Sequence, residues 1–187
     1  MKLIILIISF STLIVVQNSN NEEDRVFWNA TQKLTWEDFK GAPNYKEIYS
    51  ARTFCVISSK MSRKNDSVVF TIKAAIQKNK SWVKLDQKTI SCLEHEQLHF
   101  DITELSVRLF RKKLLEYVFN RRTIRTEFGK LVNEFDLYHL KLQDQYDNET
   151  NHRLNIAKQN DWNKKISSEL CKAEKYDNPI ITIILNE

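Results

Sequence analysis

The chain has very few of the residues that interrupt regular structure, with 2 glycines and 2 prolines in 187 residues. Sandwiches and barrels of many short strands need frequent turns, so this scarcity argues against them and favours long uninterrupted helices. Cysteine is also scarce. Cys55, Cys92 and Cys171 are an odd and widely spaced set, which excludes a closed disulfide framework and predicts small buried side chains instead.

Neither sign of charge is in large excess. The chain has 29 Lys and Arg and 24 Asp and Glu, which gives a net charge of +5. The basic runs at residues 111–113 and 121–125 have no interleaved aromatic residues, so they predict solvated helix ends. We therefore expect no nucleic-acid partner. The balance of 42% hydrophobic and 28% charged residues is typical of a globular protein, and the length predicts one domain.

The one long hydrophobic run is near the amino terminus, where Met1-Lys2 precede an apolar stretch from Leu3 to Val16. This stretch is shorter than the ~20 residues of a membrane-spanning helix, and it predicts a secretory signal peptide over residues 1–19. A single domain would then occupy residues 20–187. We expect a secreted or periplasmic protein with no stable membrane span after signal removal; the alternative is retention by an uncleaved amino-terminal anchor.

Two kinds of hydrophobic pattern follow one another along the rest of the chain. Segments 52–60 and 67–77 are rich in Val, Ile, Thr and Phe and predict a hairpin with a loop over 61–66. Further strands are predicted at 81–84 and 180–185. From Lys88 the spacing becomes helical and predicts three helices, the first ending at a bend over 120–122 and the others over 123–150 and 155–172. The predicted fold class is α+β, with a small antiparallel sheet packed on long helices.

The first long helix contains His95-Glu96-Gln97-Leu98-His99, an HExxH pattern. Residues four apart share one face of a helix, so His95 and His99 can bind the same metal ion. Glu96 lies one step round the helix, where its carboxylate can act as general base on water at that metal. The pattern therefore predicts a Zn²⁺ cofactor and a catalytic role for Glu96.

A catalytic zinc has three protein ligands and an open position, so two histidines are an incomplete site. Asp101 and Glu104 fall on other faces of the same helix, about 240° and 180° round from His95 at 100° per residue. Cys92 shares the face but lies roughly 10 Å along the axis from His99. The third ligand must therefore come from another element.

The second long helix is the place to search for that ligand. If the two helices form an antiparallel pair, residue 97 lies opposite residue 145, which points to the segment Gln145–His152. The apolar stripe places Glu149 on the side that faces the motif. For His152 to face the motif, the helix would have to end or bend near Asn151. On this reasoning both residues remain candidates.

Four segments of the chain form a distinctive set: His95 to Glu104, Trp36 to Gly41, Ser81 to Lys84, and Tyr146-Asp147-Asn148-Glu149-Thr150-Asn151-His152. Together they resemble the DUF922 family of predicted secreted zinc-dependent proteases of bacteria. The resemblance implies a zincin-like metallohydrolase whose YDxxTxH motif falls on Tyr146, Asp147, Thr150 and His152.

This family resemblance favours His152 as the third ligand, with Glu149 as the alternative. Asp147 would then orient an imidazole, and Tyr146 would pack against the motif helix or support a developing oxyanion. Many relatives have glycine directly after the histidine, where this chain has Arg153.

The function expected from the sequence is hydrolysis of peptide bonds by a secreted zinc metallopeptidase, in which Glu96 activates the zinc-bound water. Its partner would be a peptide or protein substrate. The alternative is a non-catalytic zinc-binding surface or scaffold domain, in which the same ligands stabilise the fold. A helical interaction protein without metal is a third possibility.

Overall fold

The computed structural model describes residues 22–185, so the predicted signal peptide over residues 1–19 lies outside the described residues. The described part is α+β, as the sequence predicts. Among these residues, none of the helices has an apolar stretch that could span a lipid bilayer. The helices are α1 (Ile90–Glu116), α2 (Ile124–Thr150) and α3 (Ile156–Lys172), and the strands are β1 (Arg25–Phe27), β2 (Ala51–Arg52), β3 (Cys55–Lys64), β4 (Ser67–Gln77), β5 (Trp82–Val83) and β6 (Ile180–Ile184).

Strand β4 is the centre of a four-stranded antiparallel sheet. It pairs with β3 along one edge, while β1 and β6 share its other edge at opposite ends. Alternate side chains of β4 are buried on the helix-facing side, as period-two patterning requires. These are Val68, Phe70, Ile72, Ala74 and Ile76.

The predicted hairpin is present, but its turn is tighter than expected. Strand β3 continues through Lys64, so the predicted loop over 61–66 is wrong for residues 61–64. Backbone pairing with β4 holds this polar stretch extended, and Asn65 makes the turn with a left-handed φ of 52°. The short strand β1 was not predicted. The predicted strand at 81–84 forms β5, which pairs with β2 in a separate two-stranded sheet.

Helix α1 is the central element of the fold. It begins after Thr89, whose side chain accepts a hydrogen bond from the Cys92 backbone N–H at 3.2 Å. One apolar cluster joins α1 to the sheet and to the start of α2, and a second joins α1 to Tyr146 and α3. The helix is therefore buried on several faces.

Helices α1 and α2 form the expected antiparallel pair. Side-chain contacts join His95 to Asp147, His99 to Gln143, and Thr103 to His139. Each pair steps one turn along both helices in opposite directions, which confirms the register deduced from the sequence. The carboxyl end of α2 thus lies beside the HExxH segment.

The three cysteines are unpaired. Cys92 is buried and Cys55 is partly buried, whereas Cys171 is exposed near the end of α3. The prediction of three buried thiols is wrong for Cys171 because its position faces solvent.

Candidate metal centre

His95 and His99 project from adjacent turns of α1 towards the same point. Their Nε2 atoms are 3.2 Å apart, and the rings are nearly perpendicular. His95 is buried and His99 is partly buried. The four-residue spacing on a regular helix thus brings together the two nitrogens that the sequence predicted.

Asp147 of α2 supplies a third donor atom. Its Oδ1 lies 3.1 Å from His95 Nε2 and 3.0 Å from His99 Nε2. Zinc bonds of about 2.0–2.1 Å in a tetrahedral site place neighbouring ligand atoms roughly 3.3 Å apart. The three atoms therefore approximate one face of a tetrahedron and could hold a metal ion.

The other nitrogen of each histidine ring is held by glutamine. His95 Nδ1 lies 3.0 Å from Gln159 Oε1 and 2.7 Å from the Tyr146 hydroxyl, and His99 Nδ1 lies 2.5 Å from Gln143 Oε1. An amide oxygen only accepts hydrogen bonds, so it favours the tautomer with the proton on Nδ1. In the neutral rings the lone pairs of both Nε2 atoms then point at Asp147 Oδ1, whereas in a protonated ring Nε2 donates a hydrogen bond to it.

Three acceptor atoms at such separations repel one another unless a positive charge lies among them. Burial by itself lowers the pKa of His99, but the hydrogen bond and charge of Asp147, together with the charge of Glu96, raise it to about 9. Burial raises the pKa of Asp147, yet its hydrogen bonds to His95 and His99 bring it well below its ordinary range. Either a proton or a metal cation among the three atoms would remove their mutual repulsion.

Glu96 is buried and lies beside the histidines at the wall of a cleft. Its Oε2 accepts a 2.6 Å hydrogen bond from the Thr53 hydroxyl. A carboxylate in this position can take up a proton from a molecule bound in the cleft.

The cleft has a volume of about 710 Å³, which is large enough for part of a peptide chain. Its walls come from residues 48–55, from α2 and from residues 151–154. Ile48, Leu140 and Leu154 line it and are largely exposed. The candidate metal centre is therefore accessible from solvent.

The third ligand expected from the resemblance, His152, lies next to the three-atom cluster and outside it. Its Nδ1 is 3.5 Å from Asp147 Oδ1, and its ring packs edge-on against Tyr49. Asp147, expected to orient an imidazole, has the position of a ligand. Helix α2 ends at Thr150 with Asn151 as its C-cap, so the predicted end of the helix near Asn151 is confirmed.

The backbone beyond α2 is unusual. Asn151, His152 and Arg153 have left-handed φ values of 47°, 48° and 73°. Such conformations are costly for residues other than glycine. Arg153 thus stands in a conformation that favours glycine, and its guanidinium donates to Ser50 Oγ and Gln87 Oε1.

The sequence-based placement of Glu149 on the motif-facing side of α2 is wrong. Its side chain is exposed, and its carboxylate accepts hydrogen bonds from Trp162 Nε1 and Gln145. Tyr146 and Thr150 occupy the buried face instead. The apolar stripe shows which side of α2 is buried, but it does not show how far round the helix the buried face extends.

Three residues that contact the site were not predicted: Gln143, Gln159 and Thr53. Gln143 lies one turn before Asp147, so the helix register could have identified it. Gln159 belongs to α3 and Thr53 to the segment between β2 and β3. Neither has a sequence spacing that relates it to the HExxH segment.

A comparison of the chain with protein family models, curated proteins and solved structures gave no match. The function is therefore inferred from the chemistry of the site.

Proposed function

We propose that the protein is a secreted, zincin-like metallopeptidase in which His95, His99 and Asp147 hold zinc. The observation that carries this proposal is the convergence of two imidazole Nε2 atoms and a carboxylate oxygen, 3.0–3.2 Å apart, beside Glu96 in an open cleft. Histidine rings held at Nδ1 by hydrogen-bond acceptors are a common feature of metal sites.

The donor set supports several metals. Two imidazoles and a carboxylate suit catalytic zinc, and the same set with open positions also suits non-haem Fe(II). The adjacent Glu96 favours hydrolytic zinc chemistry, because a general base beside the metal is what water activation requires.

The chain's own groups have clear roles in peptide hydrolysis. Zinc, when bound, would polarise the substrate carbonyl and make water more acidic. The Glu96 carboxylate accepts the proton of the attacking water and delivers it to the leaving amine nitrogen. Gln143 and Gln159 hold the two imidazoles in one tautomer and orientation throughout.

The test combines metal analysis with turnover. Purified protein should contain about one zinc per chain by elemental analysis and should cleave fluorescein-labelled casein. Glu96→Gln should keep the zinc and lower turnover by roughly 100-fold or more, because loss of a general base costs that order. Glu94→Gln changes an exposed glutamate two residues away and is the matched control, expected to stay active.

The outcomes separate the candidate functions. Bound zinc without turnover in the wild type would support a non-catalytic zinc-binding surface or scaffold domain. Absence of any metal after purification and zinc titration would contradict both zinc-dependent functions. Turnover by Glu96→Gln equal to that of the wild type would remove Glu96 from the mechanism.

A further inference from the structure

The carboxylate of Glu96 has an unusual environment for a buried charge. The side chain is 4% exposed, and the described residues give it one hydrogen bond, from Thr53 Oγ1 to Oε2 at 2.6 Å. The other oxygen, Oε1, accepts no hydrogen bond from these residues. Because Glu96 lines the cleft, this arrangement leaves one oxygen fixed and the other available to a bound molecule.

We infer that Thr53 is a positioning residue for the general base. A glutamate side chain has three rotatable bonds, and Thr53, which lines the same cleft, fixes its far end through this hydrogen bond. The hydroxyl has one proton, and Glu96 uses it, so Thr53 acts on the reaction through Glu96. This inference rests on the proposed peptidase function and deepens it.

A purely structural role for the hydroxyl would be to tether its segment to α1. That segment has other anchors. The Phe54 N–H donates to Ser81 Oγ at 2.9 Å, and the Gln77 N–H donates to the Phe54 carbonyl at 3.0 Å. Loss of the Thr53 hydroxyl therefore leaves the backbone of the segment held in place.

The first test compares Thr53→Val, which keeps the shape and removes the hydroxyl, with Thr53→Ser, which keeps the hydroxyl. With labelled casein, Thr53→Val should lower kcat about tenfold at unchanged KM and zinc content, since a hydrogen bond to a charged group has that order of effect. Thr53→Ser should retain most of the activity. Thr53→Ala serves the same purpose if valine impairs folding, as checked by circular dichroism.

A second test asks whether Thr53 acts through Glu96. In the Glu96→Gln background, Thr53→Val should cause no further loss of kcat, because interacting residues are not additive. In the metal-free protein, Thr53→Val should lower the urea midpoint of unfolding in the wild type and lower it less in the Glu96→Ala background. This stability measurement does not depend on activity.

Three results would overturn the inference. The first is equal kcat in Thr53→Val and the wild type, and the second is an equal loss of kcat in the presence and absence of the Glu96 carboxylate. The third is a drop in zinc content that accounts for the lost activity, since the role would then be structural. Wild-type protein that holds zinc and cleaves nothing contradicts the proposed function. Active wild type with fully active Thr53→Val contradicts only the role of Thr53.

Discussion

At the residue scale, the structure brings the Asp147 carboxylate closer to the histidine pair than His152, the ligand that the resemblance favours. Asp147 lies on the face of α2 that meets α1, one turn beyond Gln143, so a regular helix carries its carboxylate to the histidine pair. His152 follows the end of the helix, and its Nδ1 lies 3.5 Å from Asp147 Oδ1, outside the three-atom cluster. The helix therefore carries the Asp147 carboxylate into the cluster, whereas His152 lies beyond the end of the helix.

These positions predict which substitution weakens zinc binding more. Asp147→Ala removes a proposed ligand and should weaken zinc binding by more than about 100-fold. His152→Ala should weaken it by roughly 10–100-fold, the usual cost of losing a partner of a ligand. Asp144→Ala, on the same helix and lining the cleft, is the control and should bind normally.

Titration against a chelating dye of known zinc affinity measures all three variants. The reverse order would give the ligand role to His152, as the family resemblance implies. Full affinity in both Asp147→Ala and His152→Ala would contradict this metal centre altogether.

His139 predicts a specific pH dependence of stability. It is buried, and burial together with the positive charge of His99 lowers its pKa to about 4. The unfolded chain, with a histidine pKa near 6.5, binds more protons than the folded chain between these values, so stability falls as pH falls from about 6.5 to 4. This residue's contribution to the loss is on the order of 3 kcal/mol.

His139→Gln should reduce this slope, because an amide can still accept the Gln143 hydrogen bond and does not titrate. Urea unfolding of metal-free wild type and variant at several pH values from 4 to 7 measures the difference. Parallel stability curves over this range would show that the His139 pKa is not lowered.

At the element scale, the sequence predicts the helices and their pairing because both depend on local periodicity. The short connection over residues 117–123 makes α1 and α2 antiparallel, and this pairing places the end of α2 beside His95 and His99. The contact of Gln159 with His95 depends instead on how α3 packs against α1 and α2. Nothing in the sequence around Gln159 records that contact, so this part of the site could not be predicted.

The packing of α3 has a consequence for the metal centre. Trp162 is buried against Tyr146, and one turn before it Gln159 reaches His95 Nδ1. Gln159→Leu should therefore weaken zinc binding by roughly 10–100-fold while the helix stays docked. Gln145→Leu changes an exposed glutamine of α2 and should have no effect.

Competition with a chelator measures the affinities, and circular dichroism checks that both variants retain their helices. Unchanged zinc affinity in Gln159→Leu would mean that Tyr146 alone orients His95.

At the scale of the whole molecule, a buried charge network joins the parts that the chain order separates. Glu104 of α1 accepts from Arg108 Nε at 3.0 Å and from an Arg111 guanidinium nitrogen at 3.1 Å. Arg111 also donates to the backbone carbonyls of Ile72 in β4 and Tyr176 after α3. The network thus connects the central helix, the central strand and the carboxyl-terminal segment.

This network predicts a large effect on stability outside the metal centre. Burial lowers the pKa of Arg111 and the charge of Glu104 opposes this, so the two charges depend on each other. Glu104→Ala leaves two buried guanidinium groups without their anion, and breaking a buried pair in this way costs about 3–5 kcal/mol. Glu116→Ala removes an exposed partner of Lys112 at 4.0 Å and should cost less than about 1 kcal/mol.

Urea unfolding of the metal-free variants, followed by circular dichroism, measures both costs. Glu104 does not line the cleft, so the zinc affinity of folded Glu104→Ala should match that of the wild type. A cost for Glu104→Ala no larger than that for Glu116→Ala would mean that the two arginines find other compensation, through the backbone carbonyls of β4 and the carboxyl-terminal segment. Equal zinc affinity with a large loss of stability would show that the fold and the metal centre depend on separate polar clusters of the same helix.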